Sequence, residues 1–286
     1  MTTGLRARDA ARDAARRLEE ARVPEPAASA EVLLSELLDV RRGEIPLFDA
    51  PLTEDQAARY ENWIERRTRR EPVQRILGHA YFRNLKLHLN ESTLIPRPDT
   101  ETVVSVALER FDERGETGVV LDIGTGSGAI AISIAQERPG TVVHATDLSE
   151  AGLALARKNA DGNGVSVEFQ LADLFPEPGE LAAPVDLLVS NPPYVAAPDL
   201  EDLAPEVRDW DPRSALDGGS DGLDLYRRIF AEAPAFLSDD ADVVLEVGDG
   251  QAEAVLELGR RAGFVPLDIR SDLAGTPRAV LLRWDR

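Results

Sequence analysis

Hydrophobic positions follow two different patterns along the chain. In the first part, apolar side chains recur every three or four positions among charged ones, which is the spacing of amphipathic helices. Thr53 and Gln56 form a capping-box pattern at the start of the last of these helices. The predicted helices cover residues 3–22, 27–39 and 53 to about 70. This pattern predicts a small all-α unit that ends near Gly78.

After residue 117 the pattern changes to short apolar runs that alternate with helical segments. The predicted strands cover residues 119–123, 142–146, 165–170, 185–190, 243–247, 264–269 and 279–283. The predicted helices cover residues 129–137, 149–160, 223–236 and 251–262. Such alternation is typical of a doubly wound sheet with mostly parallel strands. We therefore predict the α/β class, with a seven-stranded sheet and a separate helical N-terminal part.

A short segment connects the two parts. Residues 80–89 alternate apolar and polar side chains, which predicts a strand or one arm of a hairpin. The chain continues into Leu94–Glu101, where two prolines favour an extended backbone. Asp99 or Thr100 is then placed to cap the helix that follows.

Composition and charge narrow the possible chemistry. The chain has 286 residues and no cysteine, and its three histidines lack the spacing of metal ligands, so we expect no metal site. The net charge is −20: residues 1–78 hold 14 basic and 15 acidic residues, and the other 208 hold 18 and 37. A surface this negative repels a phosphate backbone, so direct binding to nucleic acid is not expected.

The sequence contains no pattern typical of a membrane protein. The longest uncharged stretch near the glycines, residues 123–136, has 14 residues and is too short to span a bilayer. The first residues carry charges from position 6 onward and lack the apolar core of a signal peptide. We therefore expect a cytoplasmic protein that does not contact membranes.

A glycine-rich loop follows the first strand of the α/β part. It consists of Gly124, Thr125, Gly126, Ser127 and Gly128. Glycines let the backbone turn tightly and approach a ligand beside a helix N-terminus. Asp147 ends the second strand, where an acidic residue can bind ribose hydroxyls. Together these features predict a nucleoside-containing cofactor. Because the loop with Ala129 also fits a dinucleotide fingerprint, an NAD-dependent enzyme is an alternative at this point.

The loop after the fourth strand consists of Asn191, Pro192, Pro193 and Tyr194. Ligands of open α/β sheets bind beyond the carboxyl ends of the strands, where this loop, the glycine loop and Asp147 converge. Two prolines stiffen the loop and remove N–H donors, but their carbonyls and the Asn191 side-chain oxygen remain acceptors. Two acceptors beside a flat aromatic ring suit a planar group that carries an NH₂.

Together these motifs resemble class I S-adenosylmethionine-dependent methyltransferases that act on exocyclic or amide nitrogen. More specifically, the chain resembles the PrmC (HemK) family of release-factor glutamine methyltransferases. The closer likeness rests on Glu71–Gly78, Leu94–Glu101, Asn191–Tyr194, Ala215–Gly219, Glu246–Gly248 with Gln251, and Asp272–Gly275. The resemblance implies a helical substrate-recognition domain over residues 1–78, a β-hairpin linker over 79–98 and a methyltransferase domain over 99–286.

The resemblance also implies a reaction and a partner. The reaction is N5-methylation of the glutamine in the Gly-Gly-Gln loop of class I peptide chain release factors. S-adenosyl-L-methionine would be the methyl donor and S-adenosyl-L-homocysteine the product. We expect the protein to act as a monomer.

Site residues follow from the same resemblance. The glycine loop would hold the methionine and ribose part of the cofactor, Asp147 its ribose hydroxyls, and Asp173 and Leu174 its adenine. The glutamine would be bound by Asn191, Pro192, Pro193 and Tyr194, of which Asn191, Pro192 and Tyr194 are the expected catalytic residues. Asn191 is also expected to contact the cofactor.

Three other functions are compatible with the motifs. A related methyltransferase that modifies a glutamine of a ribosomal protein would share nearly all of them. A nucleic-acid amino-methyltransferase shares the Asn191–Tyr194 motif, although the negative charge disfavours it. A protein that binds the cofactor without catalysis would use Asn191–Tyr194 only as a turn, and the intact motifs argue against this.

Overall fold

The computed structural model describes residues 6–48, 50–115, 117–177, 179–181 and 183–285. Internal contacts divide the chain into two compact units. The first comprises the chain up to residue 78 together with residues 205–210, and the second comprises residues 79–204 and 211 onward. Each unit has its own hydrophobic core, with one cluster in the first unit and two in the second.

The described residues form helices and strands with the following bounds. The helices are α1 (Ala7–Glu20), α2 (Pro26–Leu38), α3 (Glu54–Thr68), α4 (Val73–Leu77), α5 (Thr100–Arg114), α6 (Ala129–Glu137), α7 (Glu150–Asn163), α8 (Pro205–Arg208), α9 (Asp224–Glu232) and α10 (Ala252–Arg261). The strands are β1 (His79–Phe82), β2 (Leu85–His88), β3 (Val119–Ile123), β4 (Val142–Asp147), β5 (Glu168–Leu171), β6 (Val185–Ser190), β7 (Leu237–Glu246), β8 (Phe264–Ser271) and β9 (Pro277–Trp284). None of these helices is long and apolar enough to span a bilayer.

The first unit is a small helical bundle. The capping box predicted for α3 is confirmed, since Thr53 Oγ1 accepts from the Gln56 backbone N–H at 3.2 Å and the Gln56 side chain accepts from the Thr53 N–H at 2.9 Å. The apolar faces of α1, α2 and α3 form its core.

A distant segment of the chain completes this bundle. The guanidinium of Arg70 donates two hydrogen bonds to Glu206, at 2.7 and 2.6 Å. Arg67, which is only 4% exposed, forms an ion pair with the same carboxylate at 3.0 Å. Glu206 therefore provides a counter-charge for both guanidinium groups.

The second unit is built on a seven-stranded sheet of order β5-β4-β3-β6-β7-β9-β8. Strands β3 to β7 are parallel, and β9 runs antiparallel to both β7 and β8. The predicted α/β class and seven strands are therefore confirmed. Because β3, β4, β6 and β7 are parallel, their carboxyl ends share one edge of the sheet.

Helices cover both faces of this sheet. Residues of α5, α6 and α7 pack in one cluster, and residues of α9 and α10 pack in the other. The β1–β2 hairpin belongs to the second unit, with buried Phe82 and Leu87 in the first of these clusters. Asn159 of α7 bonds to both backbone groups of His88, at 2.8 and 3.1 Å.

Some predicted bounds differ from the structure for clear reasons. Strand β7 begins at Leu237, six residues before the predicted start at residue 243. The prediction missed this first half because Ser238, Asp239 and Asp240 are polar and give no apolar strand pattern. Helix α9 ends at Glu232 and gives way to a 3₁₀ turn, since Pro234 has no N–H to continue the helix.

Candidate active site

A cavity of about 350 Å³ lies at the carboxyl ends of the parallel strands. The predicted site residues that line it are Gly124, Thr125, Gly126, Ser127, Asp147, Asp173, Leu174, Asn191 and Pro193. Gly128, Pro192 and Tyr194 do not line it. The structure thus brings nine of the twelve predicted residues to one cavity.

The glycine loop turns back over the end of β4. The N–H groups of Gly124 and Thr125 both donate to the Thr146 carbonyl at 2.9 Å. Gly124 has a φ of +70°, and a Cβ added there would meet no atom within 4 Å. The glycine therefore permits the turn and leaves open space on the side of the cavity.

Gly128 has a different role. Its φ is +87°, and an added Cβ would lie 2.6 Å from Cδ1 of Ile132 in α6. This glycine therefore permits close packing at the beginning of the helix, and a cofactor contact is not needed to explain it.

Asp147 shapes the glycine loop. Its Oδ2 accepts from the Gly126 N–H and its Oδ1 from the Ser149 N–H, both at 2.8 Å. Each carboxylate oxygen has a second lone pair, so both remain able to accept from a ligand hydroxyl. The residue that was predicted to bind ribose therefore holds the backbone of the glycine loop in this structure.

A buried carboxyl group lies beneath the same loop. Asp122 is fully buried, and its Oδ2 accepts from Thr125 Oγ1 at 2.6 Å and from the Ala131 N–H at 3.2 Å. Its Oδ1 has no hydrogen-bond partner among the described residues. Burial raises the pKa of Asp122 from 3.8 to about 7. Asp122 is not among the site residues predicted from the sequence, although it directly precedes Ile123 and the glycines.

Asp173 and Leu174 form another part of the cavity wall. Leu174 has a φ of +72°, which is strained for a residue with a branched side chain, and its carbonyl accepts from Thr146 Oγ1 at 2.6 Å. Asp173 is exposed and pairs with Arg228 at 3.0 Å. The hydrogen bond from Thr146 holds the strained backbone beside the cavity.

Asn191 is bound to the helix that was predicted to begin near Asp99. Its Nδ2 donates to Thr100 Oγ1 at 3.1 Å. Asp99 occupies the N-cap position without a capping side-chain bond and instead pairs with Arg278 at 3.3 Å. The predicted cap is therefore wrong for both residues, because each side chain has a partner in another element.

The loop 191–194 is held by two glycine-containing segments. The Val195 N–H donates to the Leu216 carbonyl at 2.9 Å, and the Gly218 N–H donates back to the Val195 carbonyl at 2.8 Å. A Cβ on Gly222 would lie 2.4 Å from the Tyr194 carbonyl oxygen. Gln251 Nε2 donates to that same oxygen at 2.9 Å. These contacts explain why Ala215–Gly219 and Gln251 accompany the loop.

The side chain of Tyr194 lies outside the lining of the cavity. Its ring packs against the cluster that includes α9 and α10, and its hydroxyl is 3.5 Å from Glu246 Oε1. Burial raises its pKa to about 12, so it is neutral near pH 7. In this position the side chain supports the loop; stacking on a substrate remains a prediction.

The cavity suits a ligand with a nucleoside part and a positive charge. Its wall combines glycine backbone, a carboxylate with lone pairs to spare, and an asparagine amide. These features fit a sulfonium nucleoside such as S-adenosylmethionine.

Comparisons with known proteins agree with this geometry. The family described as "PrmC N-terminal domain" matches residues 9–78, and that described as "Methyltransferase small domain" matches residues 99–206. A solved methyltransferase structure from Pyrococcus furiosus has a TM-score of 0.52 at 19% identity, over 82% of this chain and 100% of that one. The match to the methyltransferase small domain covers both the glycine loop and the loop 191–194. The methyltransferase interpretation is therefore confirmed over the NAD alternative.

Full-length relatives specify the family. A "Release factor glutamine methyltransferase" of Geobacter sulfurreducens is 43% identical over 251 residues, which is 87% of each chain. One of the same name from Cereibacter sphaeroides is 41% identical over 283 residues, 98% of this chain and 99% of that one. Identity at this level over nearly whole chains shows that the protein belongs to the release factor glutamine methyltransferases.

Proposed function

We propose that this protein transfers a methyl group from S-adenosylmethionine to the side-chain nitrogen of the glutamine in the Gly-Gly-Gln loop of class I peptide chain release factors. The family name supplies the type of substrate. The observation that carries the proposal is the bond from Asn191 Nδ2 to Thr100. This bond leaves Asn191 Oδ1, in a residue of the cavity wall, as an acceptor for an NH₂ group.

The cofactor would be held by the loop 124–127 and Asp147. The glycine positions leave space for its methionine and ribose part, and Asp147 can accept from ribose hydroxyls. Asp173 and Leu174 would flank the adenine. When bound, S-adenosylmethionine supplies an activated methyl group, so that a C–S bond breaks as a C–N bond forms and the sulfonium becomes a neutral thioether.

Asn191–Tyr194 would hold the substrate amide. The nitrogen of an amide is a poor nucleophile because its lone pair is delocalised into the carbonyl group. Acceptors at Asn191 Oδ1 and the Pro192 carbonyl would orient the NH₂ and stabilise positive charge that develops on nitrogen. Correct placement against the glycine loop supplies a further part of the rate by proximity. The nitrogen can lose its extra proton to solvent after transfer, so no general base is required.

A labelling experiment tests the proposal. The purified protein is incubated with methyl-labelled S-adenosylmethionine and an equimolar mixture of a class I release factor, ribosomal proteins and RNA. We expect label on the release factor alone, at the glutamine of its Gly-Gly-Gln loop, and a release factor with that glutamine changed to alanine is the control. Label on a ribosomal protein or on RNA would replace the proposal by one of the alternatives.

We also propose that the protein acts as a monomer in the cytoplasm, where release factors function. Light scattering of the purified protein should give the mass of one chain, 31.1 kDa. Cell fractionation should recover the protein away from membranes. A stable dimer or recovery with the membrane fraction would contradict these two points without affecting the reaction.

A further inference from the structure

The side chain of Asn191 is held by a buried hydroxyl group. Thr100, which accepts from Asn191 Nδ2 at 3.1 Å, is only 4% exposed and begins α5. A side-chain amide has a donor end and an acceptor end of nearly equal shape, so its partner on one side decides which end faces the other side. The direction of the Thr100 hydroxyl therefore determines what Asn191 offers to a substrate.

A buried carboxyl group lies near that hydroxyl and can accept its proton in a hydrogen bond. Glu246, at the carboxyl end of β7, is 1% exposed, and the neighbouring Thr100 side chain acts to lower the pKa of its carboxyl group, as a hydrogen-bond donor does. Its Oε1 lies 3.5 Å from the Tyr194 hydroxyl, and its Oε2 has no hydrogen-bond partner among the residues described. None of the catalytic steps above uses Glu246, although it is buried beside the substrate loop.

We propose that Thr100 and Glu246 are positioning residues that orient the Asn191 amide for methyl transfer. A threonine hydroxyl has a single proton. When Thr100 donates that proton to the Glu246 carboxylate, its oxygen can only accept from Asn191, which keeps Nδ2 turned toward Thr100 and Oδ1 available to the substrate. The proposal rests on the proposed function, because it assigns Oδ1 as the acceptor for the substrate amide.

Loss of the carboxylate should reverse this arrangement. The Thr100 hydroxyl could then donate to Asn191 Oδ1, and the amide of Asn191 would turn over to present its own NH₂ to the NH₂ of the substrate. Two donors facing each other cannot form a hydrogen bond, so the substrate nitrogen would leave its reactive position. A misplacement of about 1 Å at a reacting atom can lower a rate by about 10²-fold.

Several charged and polar groups act on Glu246. Burial raises the pKa of Glu246 to about 7, and the negative charge of Asp99 adds to this rise. Hydrogen bonding from Thr100 and Tyr194 and the positive charge of Arg278 oppose the rise. Below this pKa the protonated carboxyl group can donate to Thr100 and release the constraint on Asn191. The methyl-transfer rate should therefore increase as pH rises through about 7.

The first experiment compares variants of α5 by single-turnover methylation of a release factor at saturating labelled cofactor. Thr100→Val, which keeps the shape but removes the hydroxyl, should lower the rate by about 10- to 10²-fold, and Thr100→Ser should recover most of it. Thr102→Val is the matched control, because Thr102 lies in the same helix outside the cavity lining. Equal rates for Thr100→Val and Thr102→Val would overturn the proposal.

A second experiment separates positioning from general damage. If Thr100 acts through Asn191, adding Thr100→Val to Asn191→Ala should lower the rate less than twofold further, whereas independent effects would multiply. Full multiplication overturns the positioning role. If Asn191→Ala by itself has a normal rate, the proposed function of the loop fails instead. Cofactor affinity and circular dichroism of each variant show that the proteins are folded.

A third experiment uses pH. Glu246→Gln keeps the size of the side chain but cannot ionise, so its single-turnover rate should be lower and should lose the increase around pH 7. Asp122 has a similar pKa and is unchanged in both proteins, so the difference between the two profiles isolates Glu246. Parallel profiles for wild type and Glu246→Gln would contradict the assigned role.

Discussion

The proposed cofactor side and the proposed substrate side of the cavity are held in place by different means. On the cofactor side, the glycine loop and Asp147 belong to the neighbouring ends of β3 and β4, and the bonds that shape them join these two ends. On the substrate side, Asn191–Tyr194 is held by Thr100, 91 residues earlier, and by Gln251, 57 residues after Tyr194. The cofactor side is thus a local product of one βαβ unit, whereas the substrate side requires several distant segments.

The largest effect is expected on the substrate side. Asn191→Ala should lower turnover by about 10²–10³-fold, because it removes one acceptor for the substrate amide, and should weaken cofactor binding much less. Asn191→Asp keeps an acceptor oxygen and should retain more activity than alanine. Single-turnover methylation and calorimetric titration of the cofactor measure the two effects separately. Near-normal turnover of Asn191→Ala would remove the distinction between the two sides.

Asp147→Ala tests the cofactor side. It should weaken S-adenosylmethionine binding by about 10- to 10²-fold for each ribose hydroxyl that Asp147 binds, since each charge-assisted hydrogen bond contributes about 1.5–3 kcal/mol. The loop also loses its bond at the Gly126 N–H, so part of the loss reflects a less ordered loop. Calorimetry of a folded variant gives the affinity, with Asp161→Ala on α7 as a charge-matched control. Unchanged affinity would contradict the assignment of Asp147.

Gly222→Ala tests how tightly the distant segments hold the substrate loop. Its Cβ would lie 2.4 Å from the Tyr194 carbonyl oxygen, at a φ of +75°. Gly164→Ala is the control, since φ is +70° there but no atom lies within 4 Å. Denaturant unfolding should show Gly222→Ala to be less stable than the control by about 1–3 kcal/mol, as for other overpacked sites. Equal stability would mean that these segments leave room for an added methyl group and do not hold the loop tightly.

Asp122, under the glycine loop, should make the stability of the protein depend on pH. Its folded pKa of about 7 lies above the ordinary 3.8, so between these values the unfolded state loses a proton that the folded state keeps. This contribution to stability is complete at low pH and is lost as pH rises toward 7, by about 1.4 kcal/mol per pH unit. Unfolding free energies from pH 5 to 8 should therefore rise for Asp122→Asn relative to wild type. A constant difference would contradict the raised pKa.

The same division explains what the sequence could predict. The strand pattern, the glycine loop and Asp147 follow from local rules. The residues of the glycine loop, except Gly128, line the cavity together with Asp147. The role of Thr100 could not be derived in this way, because its partner is Asn191 and nothing near it in sequence indicates that contact. Its place in the segment Leu94–Glu101, which carries the family resemblance, was the available signal.

Tyr194 is a second residue whose position could not be predicted from the sequence. The motif places an aromatic ring at the end of the loop 191–194, beside the cavity predicted to hold the substrate. Where that ring points depends on Glu246 and on the packing of α9 and α10, which only the tertiary fold determines. The sequence predicts which groups a site contains more readily than the sides on which they lie.

The closure of the helical bundle by residues 205–210 restricts how this family can exchange parts. A chimera that takes residues 1–78 from one relative and the remainder from another combines Arg67 and Arg70 with a foreign partner segment. Where that segment lacks the carboxylate of Glu206, a nearly buried guanidinium is left without its counter-charge, a change that typically costs about 3–5 kcal/mol. Viable recombinants should therefore inherit both segments from the same parent.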